Sequence, residues 1–254
     1  MQQARFQDRV VLITGAGSGL GRATARQIAR EGGKVFGVDL NEAAVKETVA
    51  LVREAKGTAD GAQCDVASMS SVQGAVDVAV ATFGGLNVLI HAAGAGRALR
   101  FEEISEEEWQ RVLSVNLTGA FNVAKCTIAH LLKQPGGNIV NVASTAAMRG
   151  QAYAPHYAAS KAGLVNFTRS LALEYATRGL RANCVCPGGI KTPFIRNFFP
   201  RPDFEEQLIN YSRPPVPHQY WEPEDAAQGV VFLASDDARM FNGAALVMDG
   251  GILA

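Results

Sequence analysis

The chain has 254 residues, 48% of them hydrophobic and 19% charged, with 24 lysines and arginines against 24 aspartates and glutamates. A formal charge of zero argues against a nucleic-acid surface, which needs a basic excess, and leaves little repulsion to discourage self-association. No apolar run approaches the roughly 18–20 residues that span a bilayer, and Met1-Gln-Gln-Ala-Arg-Phe-Gln-Asp8 lacks a signal peptide's apolar stretch; a soluble, cytoplasmic protein is expected.

Val10-Val-Leu-Ile-Thr14 is a short apolar run, as expected of a strand buried on both faces. A helix is predicted from about Gly19 to Glu31, closed by Gly32-Gly33, then a strand over Lys34–Asp39. Asn41 is placed to cap a helix running to about Lys56. Strand Thr58–Cys64, helix Ser68–Phe83 and strand Leu86–His91 follow. Ser105-Glu-Glu-Glu108 has capping-box spacing and opens a helical pattern to about Lys133, broken near Asn116. After Pro135-Gly-Gly137 come strand Asn138–Ala143, helix Pro155–Arg178 and strand Arg181–Cys186. The alternation breaks between Pro193 and Trp221. It resumes with a helix from Glu222-Pro-Glu-Asp225 to about Ser235 and a last strand, Ala244–Met248. Strand–helix–strand units in series imply an α/β fold, a doubly wound parallel sheet of about seven strands with helices on both faces. With no repeat, linker or low-complexity tract, one domain over residues 1–254 is expected.

The first strand runs into Thr14-Gly-Ala-Gly-Ser-Gly-Leu-Gly21. Glycine lacks Cβ, so backbone can turn sharply and approach a pyrophosphate closely. The helix start behind it offers unpaired N–H groups and a positive dipole end. The spacing is G-x-x-x-G-x-G at Gly15, Gly19 and Gly21, neither G-x-G-x-x-G nor a Walker loop. A tight turn would use the same glycines, but their place between the first strand and the first helix favours a dinucleotide and a Rossmann-type fold. Asp39 ends the second strand, where an acid accepts from the adenosine ribose hydroxyls and repels the extra phosphate of NADP; a helix cap is the alternative role. Ser18 and Leu40 carry no charge, whereas an NADP site would want Arg or Lys. The expected cofactor is NAD.

Tyr157-Ala-Ala-Ser-Lys161 puts Tyr157 and Lys161 on one helix face. A nearby ammonium lowers a tyrosine pKa from about 10, making Tyr157 a general base, or an acid in the reverse direction. Alone, this spacing is more often a packed Tyr beside a snorkelling Lys. Ser144 follows the fifth strand, at the carboxyl end where doubly wound sheets bind ligands. Its hydroxyl suits a substrate oxygen, although an isolated Ser there is more often a turn residue.

Together these motifs resemble those of the classical short-chain dehydrogenase/reductase family along nearly the whole chain. Thr14, Gly15, Gly19 and Gly21 match its glycine pattern, Ser144, Tyr157 and Lys161 its Ser, Tyr and Lys, and Asn116 in Ser114-Val-Asn-Leu117 its helix Asn. The resemblance implies that Tyr157 exchanges the proton, Lys161 holds the nicotinamide ribose and tunes Tyr157, Ser144 orients the carbonyl or alcohol, and Asn116 anchors a water. It also implies cofactor contacts from the loop with Ser18 and Leu20, from Asp39 and Leu40, from Asp65 and Val66 at adenine, and from Pro187, Gly188, Ile190 and Thr192 at the nicotinamide amide. The family often has Asn-Asn-Ala-Gly after strand four; here it is His91-Ala-Ala-Gly94. Ala93 and Gly94 keep the close approach to the cofactor, Ala92 loses a side-chain hydrogen bond, and His91 reads as a satisfied interior residue. The family also implies a homo-oligomer, expected as a tetramer, built through the long helices and the C-terminal strand.

Phe194, Phe198, Phe199, Phe204, Tyr211, Tyr220 and Trp221 crowd residues 193–221, among Pro193, Pro200, Pro202, Pro214, Pro215 and Pro217. Such an insertion beside an active site reads as a lid over an apolar ligand, or as a surface packed on the protein itself or another subunit. Phe194 and Phe198, with Met148, Gln151 and Tyr153, are candidate substrate walls. Arg196, Arg201 and Arg213 read as solvated surface charge rather than partners of an anionic substrate group. Cys64, Cys126, Cys184 and Cys186 read as buried small hydrophobes, and His91, His130, His156 and His218 are too scattered for a metal site.

The expected function is an NAD-dependent oxidoreductase acting on a small secondary alcohol or ketone, with no nucleic-acid or membrane partner. One alternative is a 3-oxoacyl carrier-protein reductase; such enzymes usually prefer NADPH and dock an acidic carrier through basic residues, so Asp39 and the charge balance weigh against it. The other is a non-catalytic NAD-binding sensor or scaffold, disfavoured by the intact Asn116, Ser144, Tyr157 and Lys161.

Overall fold

The computed structural model describes residues 4–216 and 220–254; Pro217 and His218 lie outside the described residues. Its strands are β1 (Val10–Thr14), β2 (Lys34–Asp39), β3 (Thr58–Gln63), β4 (Val88–His91), β5 (Asn138–Val142), β6 (Arg181–Pro187) and β7 (Ala245–Met248). They form one parallel sheet in the order β3-β2-β1-β4-β5-β6-β7. The direction of winding reverses between β1 and β4, which opens a crevice at the carboxyl ends of those strands. The helices are α1 (Gly19–Arg30), α2 (Glu42–Glu54), α3 (Met69–Phe83), α4 (Glu106–Leu113), α5 (Gly119–Leu131), α6 (Pro155–Tyr175), α7 (Glu206–Asn210) and α8 (Pro223–Ala234).

Side chains alternate across a strand, so an apolar run feeds both faces of the sheet. Val11 and Ile13 enter a core with Ile28 of α1 and Val230, Val231 and Leu233 of α8. Val10 and Leu12 enter the opposite core, with Val72 and Val76 of α3 and Val123 and Leu131 of α5. Each such side chain, fully buried, stabilises by about 1.5–3 kcal/mol. The four cysteines are free and buried, and burial pushes the Cys184 thiol up to about 12.

Asn41 caps α2 as predicted, accepting from Ala44 N–H at 3.1 Å. The predicted capping box at α4 is half made. Ser105 Oγ accepts from Glu108 N–H at 3.2 Å, but the Glu108 carboxylate pairs with Arg111 at 2.8 and 2.9 Å. The expected break near Asn116 is a π-helical turn, Ser114–Thr118, that joins α4 to α5 without interrupting the rod. The resulting helix, Glu106–Leu131, has the length and composition to cross a membrane, although Asn116, Thr118, Asn122 and Lys125 interrupt its apolar residues. Here its Val112, Asn116, Val123, Ala124 and Leu131 are buried within the protein. The stretch after β6 is less irregular than its prolines suggest: it holds a 3-10 turn, Pro193–Phe198, and the single-turn helix α7.

Candidate active site

A cleft of about 720 Å³ lies along the carboxyl ends of the strands. Its floor is the loop between β1 and α1, and three glycines there are required by contact. A Cβ on Gly15, at φ +66°, would lie 2.8 Å from Ala93 N and 2.9 Å from Ala92 O. One on Gly21 would strike the Gly15 carbonyl, and one on Gly19, at φ +49°, would lie 2.7 Å from Thr192 Cγ2. Ser18 is the N-cap of α1 yet makes no side-chain cap bond, so the first N–H groups stay available to an anion. Leu20 lines the cleft beside them.

Asp39 does more than a helix cap would. Its Oδ2 accepts from Gly17 N–H at 3.1 Å and its Oδ1 from Asn41 N–H at 3.0 Å, so it fixes the loop's shape from the cleft rim. Leu40 beside it is 64% exposed. Arg22 of α1 pairs with Glu47 at 2.6 Å, so it does not offer a free cation to a ribose phosphate. Asp65 closes its own turn by accepting from Ala67 N–H at 2.9 Å, and Val66 O accepts from Asn122 at 2.9 Å. Both line the cleft, as do Ala93, Gly94, Pro187, Gly188, Ile190 and Thr192.

His91 departs from its sequence reading. Its Nδ1 lies 3.0 Å from the Thr14 hydroxyl, which also accepts from Ala93 N–H at 3.1 Å. Its Nε2, fully buried, has no hydrogen-bond partner among the described residues. The ring is therefore only half satisfied, and burial, with the Lys161 charge, lowers its pKa to about 3.

Tyr157 and Lys161 sit in the first turns of α6, both buried and both lining the cleft. Lys161 Nζ donates to Val142 O at 2.8 Å and lies 5.8 Å from the Tyr157 ring centre. Burial lowers the Lys161 pKa to about 8. Burial likewise pushes the Tyr157 phenol up to about 12, with the Ser144 hydrogen bond pulling the other way. Burial therefore dominates the phenol, and the expected lowering by the ammonium does not show. Ser144 caps the turn after β5, accepting from Ala146 N–H at 3.1 Å, and lines the same wall.

Asn116 is fully buried, behind the cleft wall rather than on it. Its Oδ1 accepts from Ala95 N–H at 2.7 Å, and its Nδ2 donates to Ala95 O and Ser160 Oγ, each at 2.8 Å. Its side chain therefore positions the segment after β4 and the middle of the Tyr-x-x-x-Lys turn. Sequence reading missed the Thr14 hydroxyl, Ser160 and the Val142 carbonyl. The first two lie inside the motifs, but only the fold shows whom they meet.

At the other end, Phe194 and Phe198 pack on Tyr157 with ring centres 6.0 and 5.1 Å away. Gln151 lines the cleft and so does Tyr153, but Tyr153 has a second role. At φ +62° it stacks on Phe204 at 3.8 Å, and its hydroxyl bonds the Glu205 carboxylate and accepts from Glu205 N–H at 2.9 Å. Met148 is exposed and off the cleft. Arg201, read as solvated, pairs with Asp203 at 2.7 Å and Glu103 at 2.9 Å.

A family model described as enoyl-(acyl carrier protein) reductase matches residues 15–253. The chain is 38% identical to a D-threitol dehydrogenase of Mycolicibacterium smegmatis, over 97% of this chain and 94% of that protein. It is 37% identical to a 3-oxoacyl-[acyl-carrier-protein] reductase of Thermotoga maritima, over 98% of this chain and 99% of the other. Among solved structures it resembles a short-chain dehydrogenase of Mycobacterium paratuberculosis bound to NAD, with a TM-score of 0.90 and 29% identity, covering 98% of each chain.

Proposed function

This chain belongs to the short-chain dehydrogenase/reductase family, and we propose that it is an oxidoreductase passing a hydride between NAD and a small secondary alcohol or its ketone. The observation that carries this reading is the meeting of Ser144, Tyr157 and Lys161 on one cleft whose floor is the glycine loop. NAD, when bound, supplies the hydride acceptor for oxidation and the donor for reduction.

The glycines that admit no Cβ and the uncapped start of α1 fit a pyrophosphate. Asp39 fits the adenosine ribose and disfavours a phosphate on it. Asp65 and Val66 suit adenine; Pro187, Gly188, Ile190 and Thr192 suit the carboxamide, with Ala93 and Gly94 beside the ring. Tyr157 gives its proton to the substrate oxygen in reduction and takes it in oxidation, while Ser144 donates a hydrogen bond to that oxygen. Burial keeps the phenol protonated near neutral pH, which suits the donor direction. Lys161 holds the nicotinamide ribose and neutralises developing charge on Tyr157. Asn116 positions Ala95 and Ser160 through its side chain and anchors a water in the proton relay. Gln151, Tyr153, Phe194 and Phe198 wall the substrate.

The chain works as one catalytic domain over 1–254 with a lid at 193–221, as a cytoplasmic homotetramer without nucleic-acid or membrane partners. Similarity to the Thermotoga reductase supports a second reading, reduction of a carrier-bound 3-oxoacyl group; Asp39, which disfavours NADP, weighs against it. A panel of alcohols with NAD, and of ketones and 3-oxoacyl thioesters with NADH, repeated with NADP and NADPH, separates the two. Turnover of small alcohols with NAD is the expected result. Turnover confined to 3-oxoacyl thioesters with NADPH overturns the first reading, and NAD binding without any turnover identifies a sensor.

A further inference from the structure

The substrate end of the cleft carries positive charge that hydride transfer does not use. Arg149 and Arg213 line it together with the apolar Phe194, Phe198 and Ile209. Arg149, half-buried after β5, donates to Tyr211 O at 3.1 Å and lies 4.6 Å over the Tyr211 ring. These contacts fix its guanidinium beside the turn that leads, two residues on, to Arg213.

Neither cation has a counter-ion among the described residues. In the neighbouring segment Asp203 pairs with Arg100 and Arg201 and Glu205 with Arg100, while Glu206 forms no ion pair with either arginine. Among the described residues, no carboxylate lies within ion-pair distance of Arg149 or Arg213. A third arginine on the cleft, Arg111, is already neutralised by Glu108 at 2.8 Å. Among the described residues the acids lining the cleft are Asp39 and Asp65, at the adenosine end. Asp39 ends β2, three places from β5 in the sheet, roughly 14 Å away at the spacing of parallel strands. Arg149, half-buried, and Arg213, exposed, thus leave two unneutralised guanidinium groups on the rim of an apolar cleft, where they draw anions toward it and where their fork geometry suits carboxylate or sulfonate oxygens.

We propose that the substrate carries, beyond its reacting carbon and an apolar body, an anionic terminal group of the carboxylate or sulfonate class, received by Arg149 and Arg213. The proposal rests on the oxidoreductase reading of the same cleft and narrows its substrate. It also revises the sequence reading of Arg213, which separates from Arg196 and Arg201 because it alone of the three lines the cleft.

The test uses a matched pair of probes, 4-oxocyclohexanecarboxylate and its methyl ester, titrated calorimetrically into the NAD-loaded protein. Charge-assisted pairing predicts the carboxylate to bind about tenfold tighter. The ratio should fall to within about twofold in Arg213→Met and Arg149→Met, and Arg213→Lys should keep part of it. Equal binding of the two probes, no measurable binding of the carboxylate, or a ratio unchanged in both methionine variants overturns the proposal. Turnover of the same probes with NADH is read separately. Selective binding without reduction of any ketone upholds the anion site and counts against the oxidoreductase reading, whereas reduction of both probes at equal kcat/KM does the reverse.

Discussion

The Thr14 hydroxyl lies 3.0 Å from His91 Nδ1 and joins two neighbouring strands at the point where the sheet reverses direction. The same oxygen accepts from Ala93 N–H. One hydroxyl thus ties a buried ring to the path of the chain over the glycine loop.

Removing that hydroxyl tests the arrangement. Thr14→Val keeps the shape but leaves the Ala93 N–H and His91 Nδ1 without partners, an expected loss of about 2–4 kcal/mol; Thr14→Ser should recover most of it. Urea unfolding measures both, and a valine variant as stable as wild type would remove the role. The pH dependence has a definite sign. His91 has a folded pKa of about 3 against an ordinary 6.5, so in that window the unfolded chain holds a proton that the folded one lacks. Stability therefore falls as pH drops from 6.5 toward 3, and His91→Gln should flatten that slope.

Tyr157 and Lys161 are separable by activity and by pH. Tyr157→Phe should abolish turnover while cofactor titration still shows binding, because only the proton carrier is lost; near-normal turnover would refute the assignment. For Lys161, burial sets the folded pKa near 8 against an ordinary 10.5. Between these values the unfolded state binds more protons, so the buried lysine destabilises the fold at and below pH 8 and this penalty fades as pH rises. The stability of wild type relative to Lys161→Met should rise by about 3 kcal/mol from pH 8 to 10.5. Denaturant melts of both proteins across this range measure it. A constant difference would mean that Lys161 is better solvated than its burial implies.

The elements most legible in the sequence were those whose pattern is local. The apolar run Val10–Thr14 could only be a two-faced buried strand, and Asn41 only a cap. The order of the strands was not legible beyond its class, because register is set by helices packing across the sheet. At the site, Gly15, Gly19 and Gly21, Tyr157 and Lys161 are recognisable because spacing encodes their roles. What spacing could not encode was competition between effects. Desolvation raises Tyr157 where an acidifying ammonium was expected, and the helix break at Asn116 proved to be a π-turn that buries the amide beneath Ala95. Tyr153 looked like a wall and is also an anchor, since its partner Glu205 lies 52 residues away.

Cofactor choice should depend on Asp39 in two ways. Asp39→Ala with Leu40→Arg removes the acid and places a cation where a ribose phosphate would sit. It also removes the acceptor for Gly17 N–H, so NAD should bind more weakly, as well as NADP more tightly. The expected outcome is a ratio of kcat/KM for NADP over NAD raised by at least about tenfold, the effect of one charge-assisted contact. An unchanged ratio from the same assays would show that selection lies elsewhere.

The segment after β6 should open without ligand and close with it. Its backbone bonds are mostly short-range turns within the segment itself, and it is tied to the rest of the protein at its surface. Ala98 N–H donates to Asn197 O at 2.9 Å, Arg100 and Arg201 grip Asp203, Glu205 and Glu103, and Tyr153 clasps Glu205. Exposed ion pairs are individually weak and screened by salt, so the strap should loosen readily. Amide hydrogen exchange over residues 204–210 should be fast in the free protein, faster at 1 M salt, and faster again in Tyr153→Phe, which loses the hydroxyl that Glu205 shares. NAD with a substrate analogue should slow it, because Phe194 and Phe198 then close over a ligand instead of over Tyr157 alone, excluding water from the hydride path. Equal protection with and without ligand would make this segment a fixed wall, and salt-independent exchange would show that the ion pairs do not hold it.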